Sequence, residues 1–147
     1  MAHMKLVISL FFIVLAFSSC QQPPSHELKS LWKPYSKSAL EDSILHHKPV
    51  VIDFYADWCP NCHDLDREVF SLPSIQAKLA KVTTLRMDAT NQDDPKVQDI
   101  LQYYAIEGLP TVVFIDSKGN EVKDSRVIGF VTPDEFAQSL AMFNIFK

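Results

Sequence analysis

The stretch Val50-Val51-Ile52-Asp53-Phe54-Tyr55-Ala56-Asp57-Trp58-Cys59-Pro60-Asn61-Cys62 decides how the rest of the chain is read. Val50 to Ala56 is an apolar run with one acid inside, which suits a central strand covered on both faces. Asp57-Trp58 leaves the strand. Cys59 then stands at the start of a helix, with Pro60 in the first-turn position where a missing N–H costs nothing. Two cysteines at that place and spacing are a metal clip, a structural disulfide or a pair that exchanges electrons. A helix N-terminus presents unpaired N–H groups and the positive end of the dipole, so it stabilises a thiolate. The thiolate is the nucleophile, which makes Cys59 the expected attacking group. Cys62, one turn further in and expected to be less exposed, would resolve a mixed disulfide formed at Cys59. Asp53 is an acid inside an apolar strand. Burial penalises its charge, so its pKa is expected to rise, and we read it as the base that takes the Cys62 proton through a water.

The other readings of the pair are weaker. Zinc takes about four ligands, usually from two separated pairs, and here there is one pair with His63 merely adjacent. No metal site is therefore expected. A C-x-x-C bridge closes a very small loop and constrains the unfolded chain little, which favours chemistry over stapling. Thiolates select soft Cu(I), so a copper-binding, metallochaperone-like module stands as an alternative of another class.

Working outward, Ser38-Ala39-Leu40-Glu41 has the S-x-x-E pattern of a capping box, with Leu40, Ile44 and Leu45 on one face of the helix it would open. His46 and His47 close that helix as exposed end residues, and Lys48-Pro49 stops it. After the cysteines, Leu65, Val69 and Phe70 keep a helical spacing until Pro73, and Ile75, Leu79 and Ala80 suggest one more helical piece. Val82–Met87 reads as a second strand. Asp94-Pro95 opens a helix with Val97, Ile100, Leu101 and Tyr104 on its apolar stripe. Gly108-Leu109-Pro110-Thr111 is a turn before the strand Val112–Asp116. Ser117-Lys118-Gly119-Asn120 makes a hairpin turn towards a strand near Arg126–Ile128. Thr132-Pro133-Asp134-Glu135 combines N-cap, N1 proline and capping-box acid, and Phe136, Leu140 and Phe143 point inward from the last helix. Strands alternating with helices, then a hairpin, argue for an α/β fold with a mixed sheet and helices on both faces.

The chain has 147 residues, 47% of them hydrophobic, enough for one compact domain with a core. Its net charge is −4 and no basic run is present, so nucleic acid is not an expected partner. Met1-Ala2-His3 reads as a cloning scar ahead of Met4. Lys5 and the apolar run Leu6–Phe17 follow. At about 1.5 Å per residue that run falls well short of a hydrocarbon core of about 30 Å, and small residues come after it, as in an export signal. The ending Ala16-Phe17-Ser18-Ser19-Cys20 resembles a bacterial lipoprotein signal, although Phe17 stands where such signals usually carry Leu. The resemblance implies lipidation at Cys20. Of the three cysteines, Cys59 and Cys62 then remain as a pair. Gln21–Ser25 reads as a short polar tether between lipid and domain.

Asp53 to Cys62, with the acid six residues before the first Cys and Trp58 just before it, resembles the active-site segment of the thioredoxin superfamily. Gly108-Leu109-Pro110-Thr111 is similar to its cis-proline loop. Within that superfamily the chain most resembles the C-terminal domain of DsbD-type thiol–disulfide interchange proteins, through Tyr55–Cys59, the acid-rich start of the active-site helix, Val69–Pro73 and Arg126–Phe130. The resemblance covers roughly residues 36–146. It implies a thioredoxin fold, a central mixed β-sheet flanked by helices on both faces. It also implies thiol–disulfide exchange with no cofactor beyond the redox-active Cys59–Cys62 disulfide. Asp66, seven residues after the first Cys, carries over a supporting role in tuning the thiols. Pro110 would be cis, the Leu109 backbone would pair with an extended substrate segment, and Trp58 would form part of the contact surface. The inner dipeptide Pro60-Asn61 and His63 depart from the family's usual residues, which bears on the potential.

The expected organisation is residues 1–19 as scar and lipoprotein-type signal peptide, 20–35 as lipidated Cys, tether and N-terminal extension, and 36–147 as the thioredoxin-like domain. The expected protein is a monomer held at a bacterial cell envelope by lipid on Cys20, facing the periplasm or the exterior. It would reduce protein disulfides and be recharged by a membrane-embedded thiol electron donor. A disulfide oxidase or isomerase is the alternative within the same chemistry.

Overall fold

The computed structural model of the chain describes residues 31–145. The signal peptide, the lipidated Cys20 and the tether expected from the sequence lie outside the described residues. Five strands form one mixed sheet in the order β1-β3-β2-β4-β5. They are β1 (Lys33–Pro34), β2 (Val50–Tyr55), β3 (Thr83–Asp88), β4 (Thr111–Ile115) and β5 (Val127–Ile128). The helices are α1 (Lys37–Leu45), α2 (Pro60–Leu65), α3 (Pro73–Leu79), α4 (Pro95–Tyr103) and α5 (Pro133–Ile145). β3 runs parallel to both β1 and β2, while β4 is antiparallel to β2 and to β5.

The apolar runs occupy the centre of the sheet, as their composition demands. Every residue of β4 and all but the last of β2 are buried. Alternation along these strands then makes two cores. On one face Val51, Val112 and Phe114 pack with Leu65, Val69, Phe70, Leu79, Phe136 and Phe143, contributed by α2, its extension, α3 and α5. On the other, Val50, Ile52, Phe54, Leu85 and Val113 pack with Tyr104 and with Leu40, Ile100 and Leu101 from α1 and α4. Asp53 belongs by register to the first face, which carries the active-site helix.

Several local expectations are corrected. The cap of α1 is Ser36, whose side chain accepts from the Ala39 N–H at 3.1 Å, and Ser38 instead bonds the Ser36 hydroxyl. Leu45 does not face inward. It is 77% exposed, because the helix ends there and His47 turns away in the left-handed region with φ 53°. The helix after the cysteines does not stay α: Asp66–Phe70 forms a π-turn that still buries Val69 and Phe70. The hairpin turn forms, with the Asp116 carboxylate accepting from the Lys118 and Asn120 N–H groups. Its return arm is broken by a 3-10 turn at Lys123–Ser125 before β5 pairs with Thr111 and Val112. The Thr132–Glu135 capping box forms as read, with the Glu135 carboxylate accepting from both the Thr132 N–H and its hydroxyl.

The edge strand β1 is an addition to the sequence reading, which leaves these residues in the N-terminal extension. Next to it Trp32 is buried against Phe70, ring centroids 5.0 Å apart, and the Thr84 hydroxyl donates to the Leu31 carbonyl. Two residues are too few to show strand periodicity, so this element has no sequence signal of its own.

Candidate active site

β2 delivers the chain to the site, and α2 begins where it arrives. Cys59 is the N-cap of α2: its backbone is extended, Pro60 occupies the first turn, and its sulfur accepts from the Cys62 N–H at 3.2 Å. Cys59 and Cys62 are joined as a disulfide, with Cα atoms 5.3 Å apart. The expected contrast in exposure is absent in this oxidised form, since Cys59 is 3% and Cys62 2% exposed. What separates the two is the helix end, because only Cys59 sits at the cap. The sulfurs share a small cluster with Ala56, against which Tyr55 and Leu109 pack.

The loop before Cys59 is held from the β3–α4 connection. The Thr90 hydroxyl accepts from the Asp57 N–H and the Thr90 carbonyl from the Trp58 indole N–H, each at 2.9 Å. His63 closes the loop from the other side, its Nε2–H donating to the Asp57 carbonyl at 2.7 Å. Anchored this way, Trp58 still leaves 56% of its surface exposed. The Leu109–Pro110 peptide bond is cis, and Thr111 steadies the turn by donating to the Gly108 carbonyl at 2.7 Å. Trp58 and the Gly108–Leu109 segment line one groove of about 590 Å³ that also takes in Ile106, Glu107, Gln92 and Gln98. A cavity of similar size, about 610 Å³, lies between α1 and α4 over Tyr35 and Tyr104 and is lined by neither cysteine.

Asp53 is 1% exposed, as its place in the strand requires. It is not solitary. Arg86 stands opposite it in the β2–β3 register, and both Nε and Nη2 of Arg86 lie 2.7 Å from Asp53 Oδ2. Nη2 also donates to Asp66 Oδ1, so one guanidinium joins both acids singled out from the sequence. Its plane packs 4.5 Å from the Tyr55 ring centroid and 5.4 Å from that of Trp32. Asp53 Oδ1 is buried and has no hydrogen-bond partner. Burial pushes the Asp53 carboxyl up to about 6 against the pull of Arg86, with a smaller push from Asp66. Burial also works against the Arg86 charge, yet the two carboxylates more than offset it and raise its pKa.

The residues singled out from the sequence fall into two groups. One is the disulfide with the groove beside it. The other is the acid pair Asp53 and Asp66, joined by Arg86. Sequence reasoning missed Arg86, Trp32 and Thr90. Only Arg86 had a signal: a charge inside the strand Val82–Met87, at the position that pairs with Asp53 once the two strands are aligned in parallel.

Comparison with known proteins gives concordant results. The family described as a thioredoxin-like domain matches residues 36–144. The thiol:disulfide interchange protein DsbD of Photorhabdus laumondii is 40% identical over 94 residues, covering 64% of this chain and 16% of that protein. The protein of the same name from Pectobacterium atrosepticum is 38% identical over 98 residues, 66% of this chain and 17% of its own length. The chain thus spans about a sixth of these curated relatives. The oxidised C-terminal domain of Neisseria meningitidis DsbD superposes with a TM-score of 0.64 at 28% identity, covering 76% of this chain and 92% of that one. A thioredoxin from Thermus thermophilus gives 0.65 at 28% identity, covering 78% and 86%.

Proposed function

Since the chain belongs to the thioredoxin-like family and is a thiol–disulfide oxidoreductase by its Cys pair, we propose that it serves as an exported reductase of protein disulfides. The observation that carries this reading is the Cys59–Cys62 disulfide at a helix N-terminus, packed against Leu109 of the cis-proline loop. The likeness to DsbD, a thiol:disulfide interchange protein by name, supports thiol–disulfide exchange as the chemistry.

In the reducing direction the Cys59 thiolate attacks one sulfur of a substrate disulfide. A Cys59–substrate bond forms and one substrate thiolate leaves. Cys62, its proton passed to Asp53, then attacks the Cys59 sulfur, restores the Cys59–Cys62 bond and releases the second thiolate. Two electrons pass from the pair to the substrate, and the leaving thiolates take up protons. With a carboxyl pKa near 6, Asp53 is mostly ionised at pH 7 and able to accept a proton from a thiol whose ordinary pKa is about 8.5. Trp58 and the Leu109 backbone flank the groove where an extended substrate segment would lie. Asp66 tunes the site from beside Arg86. A membrane-embedded thiol donor recharges the pair, and lipid on Cys20 keeps the domain at the envelope. Among the described residues no helix is long and apolar enough to cross a membrane.

The reduction potential of the Cys59–Cys62 couple tests the direction, on a soluble form beginning at Gln21. A value near or below about −220 mV is expected for a reductase. A value near about −120 mV would make the protein an oxidant and overturn the reading.

A further inference from the structure

The groove beside the disulfide has an uneven lining. Leu109 belongs both to it and to the cluster that packs on the two sulfurs, so a segment lying in the groove runs next to the reacting bond. Trp58, the residue before Cys59, lines it as well, with its indole held by the bond to the Thr90 carbonyl. Leu101 of α4 and Ile106 add apolar surface, and Gln92 and Gln98 are neutral amides. Among the described residues that line the groove, Glu107 alone carries a charge. It is exposed, it stands three residues before the cis-proline, and its carboxylate has no hydrogen bond or ion pair. Asp57, Asp88, Asp93 and Asp94 share this end of the sheet, but none of them lines the groove. Asp88 and Asp94 are engaged by backbone, accepting from the Thr90 and Lys96 N–H groups.

We propose that Glu107 is a specificity residue of the groove: it selects disulfide substrates whose segment carries a basic side chain, Lys or Arg, beside the reacting cysteine. The inference rests on the reduction of protein disulfides proposed above and names the class of substrate segment that the groove takes.

Lys and Arg suit both halves of this lining. Their aliphatic stems cover apolar surface while the charged head stays in water. The apolar residues of the groove can take the stem, and the Glu107 carboxylate the head. Trp58 adds a ring whose face attracts cations. An acidic side chain in the same place meets a like charge, and no cation of the lining offsets it. Because Glu107 is exposed, pairing with it involves little desolvation, so the preference is modest in size and sensitive to salt. The chain as a whole is also net negative and draws cationic peptides from a distance. The two effects separate in Glu107→Lys, which reverses the charge in the groove and leaves the chain net negative.

The test uses disulfide-linked peptides that differ at one position beside the cysteine, carrying Lys, Gln or Glu there. Each is reacted with the reduced protein, and the second-order rate constant is measured by stopped flow at low salt. The Lys peptide should react about 1.5- to fivefold faster than the Gln peptide, the span expected of one exposed ion pair, and the Glu peptide slower than both. Glu107→Gln should bring the Lys-to-Glu ratio towards one, and Glu107→Lys should invert it. Salt at about 1 M, where the screening length is about 3 Å, should flatten the wild-type order. A Lys-to-Glu ratio that Glu107→Lys leaves unchanged, or a wild-type preference for the Glu peptide, would overturn the selection. A reduced protein that leaves even the Gln peptide oxidised would instead refute the reductase reading. The same peptides, as thiols reacted with the oxidised protein, then carry the comparison of ratios.

Discussion

Replacing Asp53 by Asn should make the protein more stable at neutral pH, and by an amount that depends on pH. Burial raises the Asp53 carboxyl from 3.8 to about 6 even with Arg86 attached, so the folded state prefers the neutral acid. At about 1.4 kcal/mol per pH unit the rise corresponds to a penalty of ~3 kcal/mol once the group is ionised in both states. For a raised carboxyl the sign is unfavourable and grows with pH. The penalty is absent below 3.8, develops between 3.8 and about 6, and is fully present above. Asn keeps an oxygen for Arg86, which also retains Asp66, so the variant leaves no orphaned guanidinium. The assay is urea unfolding of the oxidised protein, wild type against Asp53→Asn, on either side of that window. An advantage of roughly 2–3 kcal/mol is expected at pH about 7.5, shrinking to a few tenths at pH about 3.5. Equal differences at the two pH values, or a less stable variant at the higher one, would refute the reasoning. Either result would mean that the bond to Arg86 outweighs the desolvation of the acid.

Three further outcomes follow from the same geometry. Cys59→Ser should abolish exchange, whereas Cys62→Ser should accumulate mixed disulfides visible by non-reducing electrophoresis; trapping by Cys59→Ser instead would reverse the order of attack. Asp53→Asn should slow exchange at pH 7 and recover towards wild type as the pH approaches the ordinary thiol pKa of about 8.5, where Cys62 ionises unaided. Stopped-flow rates between those values would show an unchanged ratio if Asp53 played no part. Gly119→Ala should lose about 1 kcal/mol or more in the same unfolding assay. Gly119 has φ +88°, and a Cβ there would come 3.2 Å from Ile44 Cδ1.

The architecture was largely legible because its determinants are local. Val50–Ala56 is apolar but for Asp53 and Val112–Ile115 is apolar throughout, and chains of that kind occupy sheet centres. Proline at the first helical position announced α2, α4 and α5. The failures are where local choices compete. Ser36 and Ser38 are equally good caps by composition, and the choice fell to Ser36. The π-turn at Asp66–Phe70 buries the same apolar residues that an α-helix would, so periodicity does not reveal it.

The redox pair, its helix N-terminus and the buried acid are properties of a short segment and its spacing, and the sequence alone determined them. Thiolate stabilisation at a helix end and the cost of a charge in an apolar strand act over a few residues. The partner of that acid was decided only by tertiary structure. Asp53, Asp66 and Arg86 are distant along the chain, and Trp32 lies further away still. Their meeting depends on β2 pairing with β3 in one parallel register and on the helical layer that lays Asp66 across both strands. A one-residue slip of that register would turn Arg86 to the opposite face, so a contact that strong leaves no mark in the sequence until the sheet is assembled.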